Sequence, residues 1–310
     1  ARVPEDRIRC GKELVGIEEH DAGVRLRFAD GTEATASVLV GADGTFSATR
    51  RILQSAERLP ESSKVRFFGQ TNWASIVEGY HSPLLGEDRA EGRLAMLNVA
   101  GQPPLAAAFV SLGNGRMFWQ VRVTDDQGAL RTTDETGCLG APGAKQKVLE
   151  LARGVPELSA AVEATSEARI YERSIYDLHP PLPRFVAGRV VLLGDAAHAP
   201  HTLPGQGANF AFEDAAELAH VLGRLPADGA GLEAALEAYE AARLERCHSM
   251  QSWAAEAGAA QKDGVASRAT GPERSVGPEE RARRTAFLYG WRPPGCPAAG
   301  TAVAADGKGG

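Results

Sequence analysis

The sequence has few of the features that mark membrane, metal-binding and nucleic-acid-binding proteins. Its 310 residues contain no uninterrupted apolar run near the roughly 18 residues of a membrane-spanning helix. A formal net charge of −6, without a cluster of lysines and arginines, excludes a nucleic-acid-binding surface. The four cysteines never take a CxxC or Cys/His spacing, so neither a metal site nor a disulfide framework is expected. These absences predict a soluble protein of a reducing intracellular compartment, either the cytoplasm or an organelle such as a plastid.

Two motifs rich in glycine and aspartate follow apolar runs that we predict to be buried strands. The runs are Ser37–Gly41 and Arg189–Gly194. The first motif, GADGTFSATR, covers Gly41–Arg50, and the second begins at Gly194–His198 and continues through Gly205–Ala215. Ligands bind at the carboxyl ends of the strands in open α/β sheets. Alone, GADG is often only a strand-to-helix turn, but the pair of motifs predicts a cofactor site.

The residue types of the second motif suit a ligand with a polyol chain and a planar ring. The carboxylate of Asp195, at a strand end, is a natural acceptor for polyol hydroxyls. Gly205 and Gly207 let the backbone approach a flat ring closely. The helix that opens near Ala208 directs its positive end toward the same place and favours negative charge there.

Together these motifs resemble those of the FAD-dependent hydroxylases of the para-hydroxybenzoate hydroxylase class, over about Ile8–Trp253. The stretch Arg173–Leu178, which precedes the second motif, is similar to the hydroxybenzoate, salicylate and zeaxanthin epoxidase branch. The resemblance implies an α/β fold with an α+β insert: a partial, Rossmann-like FAD-binding domain into which an antiparallel β-sheet substrate domain is inserted. The implied division is 1–60 and 177–253 for the FAD-binding domain and 61–176 for the substrate domain. Few large apolar residues occur in 254–310, so we predict a disordered tail there.

The resemblance also assigns roles to individual residues. In this family the first motif lies against the FAD pyrophosphate and is linked to NAD(P)H use, and the second aspartate binds a ribityl hydroxyl of FAD. The implied cofactor-binding residues are Asp43, Gly44, Arg50, Gly194, Asp195, Gly205, Gln206, Gly207, Ala208 and Asn209. His198 and His201 have no third ligand at a suitable spacing, so we place them in the loop beside the flavin and predict no metal.

Two departures from the family pattern bear on the cofactor. Thr202 stands where the family usually has a proline that lines the reactive face of the flavin. No GxGxxG occurs in the chain, although the family holds the ADP half of FAD with that turn. The expectation is therefore that the chain starts after this unit and binds FAD poorly by itself.

The activity implied is that of a monooxygenase that uses FAD, NAD(P)H and molecular oxygen to hydroxylate or epoxidise a small aromatic or carotenoid-like substrate. FAD carries the chemistry, so we predict no catalytic acid or base. Two alternatives stay open: a flavin-dependent reductase of the same superfamily, and a non-catalytic remnant of the fold. Five aromatic residues are candidate pocket walls, although each also suits a core. These are Phe67, Trp73, Phe109, Phe118 and Trp119.

Overall fold

The structure is a computed structural model that describes residues 3–86, 92–99, 104–132, 137–262 and 277–295. Within these ranges it contains three β-sheets and seven α-helices. The strands are β1 (Leu14–His20), β2 (Gly23–Phe28), β3 (Glu33–Ala36), β4 (Leu39–Gly41), β5 (Lys64–Glu78), β6 (Leu94–Val99), β7 (Leu105–Gly113), β8 (Arg116–Thr124), β9 (Cys138–Leu139), β10 (Tyr171–His179), β11 (Val186–Ala187) and β12 (Val190–Leu192). The helices are α1 (Ala48–Ser55), α2 (Ala144–Leu151), α3 (Pro156–Glu163), α4 (Asp195–His198), α5 (Gly207–Leu222), α6 (Leu232–Lys262) and α7 (Pro278–Tyr289). The mixed α/β fold that the sequence predicts is confirmed.

The N-terminal sheet is an antiparallel meander, in the order β1-β2-β3. The turn between β2 and β3 contains Gly31, whose φ of 80° is in the left-handed region that glycine adopts without strain.

The second sheet pairs the two strands that carry the motifs. β4 runs parallel to β12, with Leu39 opposite Val190 and Gly41 opposite Leu192, and β11 completes the order β11-β12-β4. All of β12 is buried, as predicted, but Val40 of β4 is 38% exposed. The prediction that both runs are buried on both faces is thus wrong for β4, because within the described residues β4 has a neighbour on one side only.

The third sheet is six-stranded, in the order β6-β7-β8-β5-β10-β9, and all its pairings are antiparallel. Because side chains alternate across a strand, the sheet has two chemically different faces. On one face Trp73, Phe109 and Trp119 are fully buried in a core that includes α2 and α3. These three residues therefore belong to a core and not to a pocket wall. The half-buried Phe118 lies on the opposite face, and Phe67 packs against Tyr176.

That opposite face looks toward the two motifs and is polar. We call it the loop-facing side. The strand registers align Arg122 of β8 with Asn72 of β5, and Asn72 with Arg173 of β10. This row lies across the centre of the sheet.

The helices α5 and α6 cover the sheet that carries the motifs. A four-residue spacing predicts that one face of α5 carries Phe210, Asp214, Leu218 and Leu222. The first three are buried and Leu222, at the end of the helix, is half-buried. Helix α6 continues to Lys262 instead of ending near Trp253, and α7 follows at Pro278–Tyr289.

The expectation of a disordered tail is therefore wrong for residues 254–262 and 278–289. Both helices gain their stability from tertiary contacts that composition does not reveal. Residues 263–276 and 296–310 lie outside the described part of the chain, and the predicted domain limits remain a prediction. No helix in the described ranges is both long and apolar enough to cross a membrane.

Candidate functional site

The two motifs meet at the carboxyl ends of β4 and β12. Parallel pairing places both strand ends at the same edge of the sheet, and the chain then connects them directly. Thr45 donates a hydrogen bond from Oγ1 to Asp195 Oδ2 at 3.0 Å. Arg50 donates from one nitrogen to Thr45 O and from another to Ala196 O, both at 2.6 Å. Segments about 150 residues apart thus form one loop cluster, as the sequence predicts.

Asp43 uses its carboxylate within its own loop. It accepts hydrogen bonds from Ser47 Oγ at 2.5 Å, from Thr49 N at 2.9 Å and from Thr49 Oγ1 at 3.0 Å. Burial by itself would raise the pKa of Asp43, but these hydrogen bonds outweigh it and hold the pKa below its ordinary value. Ser47 also caps α1 by accepting from Arg50 N at 2.9 Å. The first motif is therefore a self-contained cap, with Gly44 (φ 79°) at its open corner.

Asp195 is the aspartate that keeps an oxygen free. Oδ2 accepts from Thr45, whereas no hydrogen bond to Oδ1 occurs within the described residues. A Cβ added to Gly207 would lie 3.7 Å from Asp195 Oδ1 and 3.7 Å from Pro200 Cγ, so any side chain at this position would occupy the space beside the carboxylate. Gly205 has a φ of 64° and faces open space. The loop thus offers a bare surface next to a half-satisfied carboxylate.

Helix α5 begins at this loop without a side-chain cap. Its first amides have no partner within the helix, and Ala208 and Asn209 are exposed. Gln206 is buried, and its Oε1 accepts from Asn209 Nδ2 at 2.9 Å. An uncapped helix start favours a negatively charged or hydrogen-bond-accepting ligand. The four features of Asp195, Gly205, Gly207 and α5 fit the polyol-and-ring ligand that the sequence suggests.

Two of the predicted cofactor residues lie beneath this surface. Arg50 is 2% exposed and its guanidinium is taken up by backbone carbonyls. Gly194 is buried with a φ of 58°, and a Cβ there would lie 3.2 Å from Ala211 Cβ. Both residues shape the loops from below, and their implied contact with a cofactor remains a prediction.

The loop-facing side of the six-stranded sheet closes the cluster from above through three contacts. Arg122 Nη2 donates to Thr202 Oγ1 at 2.8 Å, and Arg173 Nη2 lies 3.5 Å from Thr45 Oγ1. His201 bonds Gln70 Oε1 from Nε2 at 2.8 Å. Side-chain contacts thus join both loops to the sheet.

His201 is neutral in this arrangement. Its Nδ1 accepts from Leu203 N at 3.2 Å, which leaves Nε2 to carry the proton that Gln70 accepts. Burial, together with the charges of Arg122 and Lys262, lowers the pKa of His201 to about 3. The imidazole is therefore a fixed hydrogen-bond link between loop and sheet.

The sequence model of the family described as FAD binding domain matches residues 2–254 of this chain. The chain belongs to the FAD binding domain family. Its likeness to curated members includes 33% identity over 251 residues with an aurachin C monooxygenase/isomerase of Stigmatella aurantiaca, covering 79% of this chain and 57% of the relative. It is also 30% identical over 260 residues to a salicylate hydroxylase of Pseudomonas putida, covering 81% of this chain and 58% of the relative.

Solved structures of the family share the fold. A Klebsiella pneumoniae HpxO structure, complexed with FAD and uric acid, superposes with a TM-score of 0.64 at 23% identity, covering 89% of this chain and 61% of that one. The chain spans less than two thirds of the length of these relatives.

A buried cluster around Asp214 supports the second motif of this FAD binding domain. Asp214 accepts from Gly194 N at 2.8 Å, from His198 Nε2 at 2.6 Å and from Arg243 Nε at 2.7 Å. The ligand atoms of His198, Asp214 and Cys247 lie within 4.8 Å of one another. Because two cationic side chains already engage Asp214, this group is an ion-pair cluster with no oxygen left over for a metal.

Sequence reasoning missed Thr45, Asn72 and Arg122 as members of the site. Thr45 stands inside the first motif, so only its spatial partner Asp195 reveals it. Arg122 did carry a signal, because it is the one charged residue in the apolar run Met117–Val123.

The buried His198 makes stability depend on pH. Burial alone would lower the pKa of His198, but its interactions with Cys247 and Asp214 outweigh it and raise the pKa to about 10. A group whose pKa is raised by folding contributes its full stabilisation of the folded state at pH values below its unfolded-state pKa, about 6.5 for histidine. This contribution to the free energy of unfolding is lost as the pH rises toward 10. We expect His198→Gln to lower the free energy of unfolding by about a few kcal/mol at pH 6. We also expect the free energy of unfolding of the variant to fall less steeply between pH 6.5 and 10 than that of the wild type. Urea unfolding at several pH values measures this.

The control is His20→Gln, at an exposed strand end. An unchanged pH slope in His198→Gln would contradict the assignment of a charged His198.

Proposed function

We propose that this chain forms the flavin-ring and substrate part of an FAD-dependent monooxygenase, which uses NAD(P)H and molecular oxygen to hydroxylate or epoxidise a small aromatic ring. The observation that carries the proposal is the junction of Thr45 and Asp195, which brings both motifs together at the open start of α5. Membership of the FAD binding domain family supports FAD as the ligand. The relatives that carry monooxygenase and hydroxylase names support the reaction class.

Four features would hold FAD in this proposal. Asp195 Oδ1 accepts a hydroxyl of the ribityl chain, and Gly205 and Gly207 give the flavin ring a surface without side chains. The free amides at Gly207–Asn209 and the positive end of α5 face the ring edge, where negative charge collects on reduction. Asp43 and Gly44 form the neighbouring turn toward the pyrophosphate, and Arg50 fixes the two loops to each other.

The substrate would lie between this surface and the loop-facing side of the sheet. Arg122 is 7% exposed, and its hydrogen-bond partners among the described residues, Thr202 and Gln261, are both neutral. Its Nε and the neighbouring Asn72 Oδ1 are buried without a hydrogen-bond partner among the described residues. A buried guanidinium without a counter-charge is costly and is stabilised by an anion. We therefore propose that the aromatic substrate carries an acidic group that pairs with Arg122, while Asn72 accepts from a donor on the same substrate.

In this proposal the side chains position the substrate, and the bound cofactor supplies the reactive group. FAD, when bound and reduced by NAD(P)H, supplies the oxygen-activating chemistry that protein side chains lack. Arg122 orients the substrate by a directional, charge-assisted pair. The contacts of Arg122 with Thr202 and of His201 with Gln70 hold the loop against the sheet.

Neutralising Asp195 tests the cofactor site. We expect Asp195→Asn to weaken FAD binding about 10- to 100-fold, because a hydrogen bond to a charged group contributes roughly 1.5–3 kcal/mol. Titration of FAD into the protein, followed by flavin fluorescence, measures the dissociation constant. Asp21→Asn, in an exposed turn, is the matched control and should bind FAD like the wild type. Equal affinity in Asp195→Asn and wild type would sink the site assignment.

The reaction class is tested by the source of the product oxygen. With FAD, NAD(P)H and an aromatic substrate, the proposal expects one atom from heavy-isotope-labelled O₂ in each product molecule, detected by mass spectrometry. Product without label would rule out a monooxygenase and leave the flavin-dependent reductase.

The role of Arg122 is tested with a pair of probes that differ in charge. We expect Arg122→Gln to weaken binding of salicylate to the FAD-loaded protein about 10- to 100-fold, and to leave the neutral salicylamide within about twofold. Arg116→Gln, at the exposed end of the same strand, is the control. Equal losses for both probes would show that Arg122 has only a structural role.

A further inference from the structure

The segment Phe287–Trp291, at and after the end of α7, lies beyond the residues matched by the family and packs against the second motif. Arg246 of α6 anchors it. This guanidinium donates to Phe287 O at 2.5 Å, and it also forms two hydrogen bonds of 2.7 Å with Glu213 of α5. The rings of Trp253 and Phe287 meet edge to face, with centroids 4.9 Å apart. The segment is thus fixed to both helices that support the motif.

Tyr289 carries this segment to the glycine-rich loop. Gln206, which is 5% exposed, donates from Nε2 to Tyr289 Oη at 3.1 Å. Its other acceptor is Pro204 O at 3.5 Å, the outer limit of a hydrogen bond. The Oε1 of the same amide accepts from Asn209 in the first turn of α5. Tyr289 is therefore the better acceptor for an amide that ties Gly205–Gly207 to the start of α5.

Trp291 reaches the other end of the motif. The guanidinium of Arg243 lies 5.9 Å from the centre of its ring. Arg243 in turn donates to Asp214, which accepts the Gly194 amide. One short segment thus acts on both the beginning and the end of the second motif.

We propose that Phe287–Trp291 is a positioning segment for the proposed flavin site, and that Tyr289 sets the glycine-rich loop by holding the Gln206 amide. The identity of the ligand rests on the proposed function. The ordering of the loop is a property of the chain itself. In this proposal Tyr289 acts through Gln206 and is a positioning residue.

The test removes one hydroxyl. Tyr289→Phe keeps the aromatic ring and removes the hydroxyl oxygen that accepts the hydrogen bond from Gln206 Nε2. We expect about a tenfold rise in the FAD dissociation constant, the usual effect of removing one hydrogen bond from a buried amide. We also expect faster hydrogen exchange of the two hydrogen-bonded amides that bracket the loop, those of Gly205 and Phe210, in the FAD-free protein. The control is Tyr80→Phe, which removes a phenol hydroxyl that contacts Glu157 on the far side of the six-stranded sheet.

The two measurements separate this proposal from the proposed function. Faster loop exchange in Tyr289→Phe, with a thermal midpoint equal to that of Tyr80→Phe, supports the positioning role even if the wild type binds no FAD, an outcome that would sink only the proposed function. Wild-type FAD affinity and wild-type loop exchange in Tyr289→Phe would overturn the positioning role and leave the FAD site standing. A general loss of thermal stability with uniformly faster exchange would also overturn it, since a merely structural contact gives that result.

Discussion

The parallel pairing of β4 with β12 is the constraint on which the rest of the structure depends. It aligns Gly41 with Leu192, so the loops that follow both strands start at the same edge. Parallel neighbours cannot be joined by a tight turn, so the chain between them has to leave the sheet and return. That excursion contains the whole six-stranded sheet, β5 to β10. A single pairing therefore joins Thr45 to Asp195 and also places a polar sheet above them.

Three buried guanidiniums show how the chain divides its charge around the site. Arg50 is satisfied by two backbone carbonyls, and Arg243 by the carboxylates of Glu213 and Asp214. Within the described part of the chain, the partners of Arg122 are the neutral side chains of Thr202 and Gln261. A buried charge is tolerated where its partners are fixed, and it is poised for a ligand where they are incomplete. The first two arginines therefore stabilise the fold, whereas Arg122 is the buried arginine to which a negatively charged ligand could bind.

The sequence was most informative where one local rule decided the outcome. Strand, glycine turn and helix start occur in order in both motifs, so their meeting and the inner face of α5 could be predicted. The resemblance also implied the antiparallel substrate sheet. It could not say which face α2 and α3 would cover, and for that reason Trp73 and Trp119 were also considered as pocket walls. Helix α7 was missed because its stability comes from partners distant in sequence, Arg246 and Trp253.

Thr202 connects the glycine-rich loop to the buried Arg122. In the family that this chain resembles, a proline usually occupies its position, and a proline side chain has no atom that accepts a hydrogen bond. Threonine gives up the fixed φ of proline and gains a hydroxyl, which here accepts from Arg122 at 2.8 Å. A residue of the loop that is proposed to carry the flavin thus fixes the orientation of the Arg122 guanidinium. Movement of that loop relative to the sheet would break this hydrogen bond or carry Arg122 with it, so the proposed cofactor surface is coupled to the proposed substrate wall.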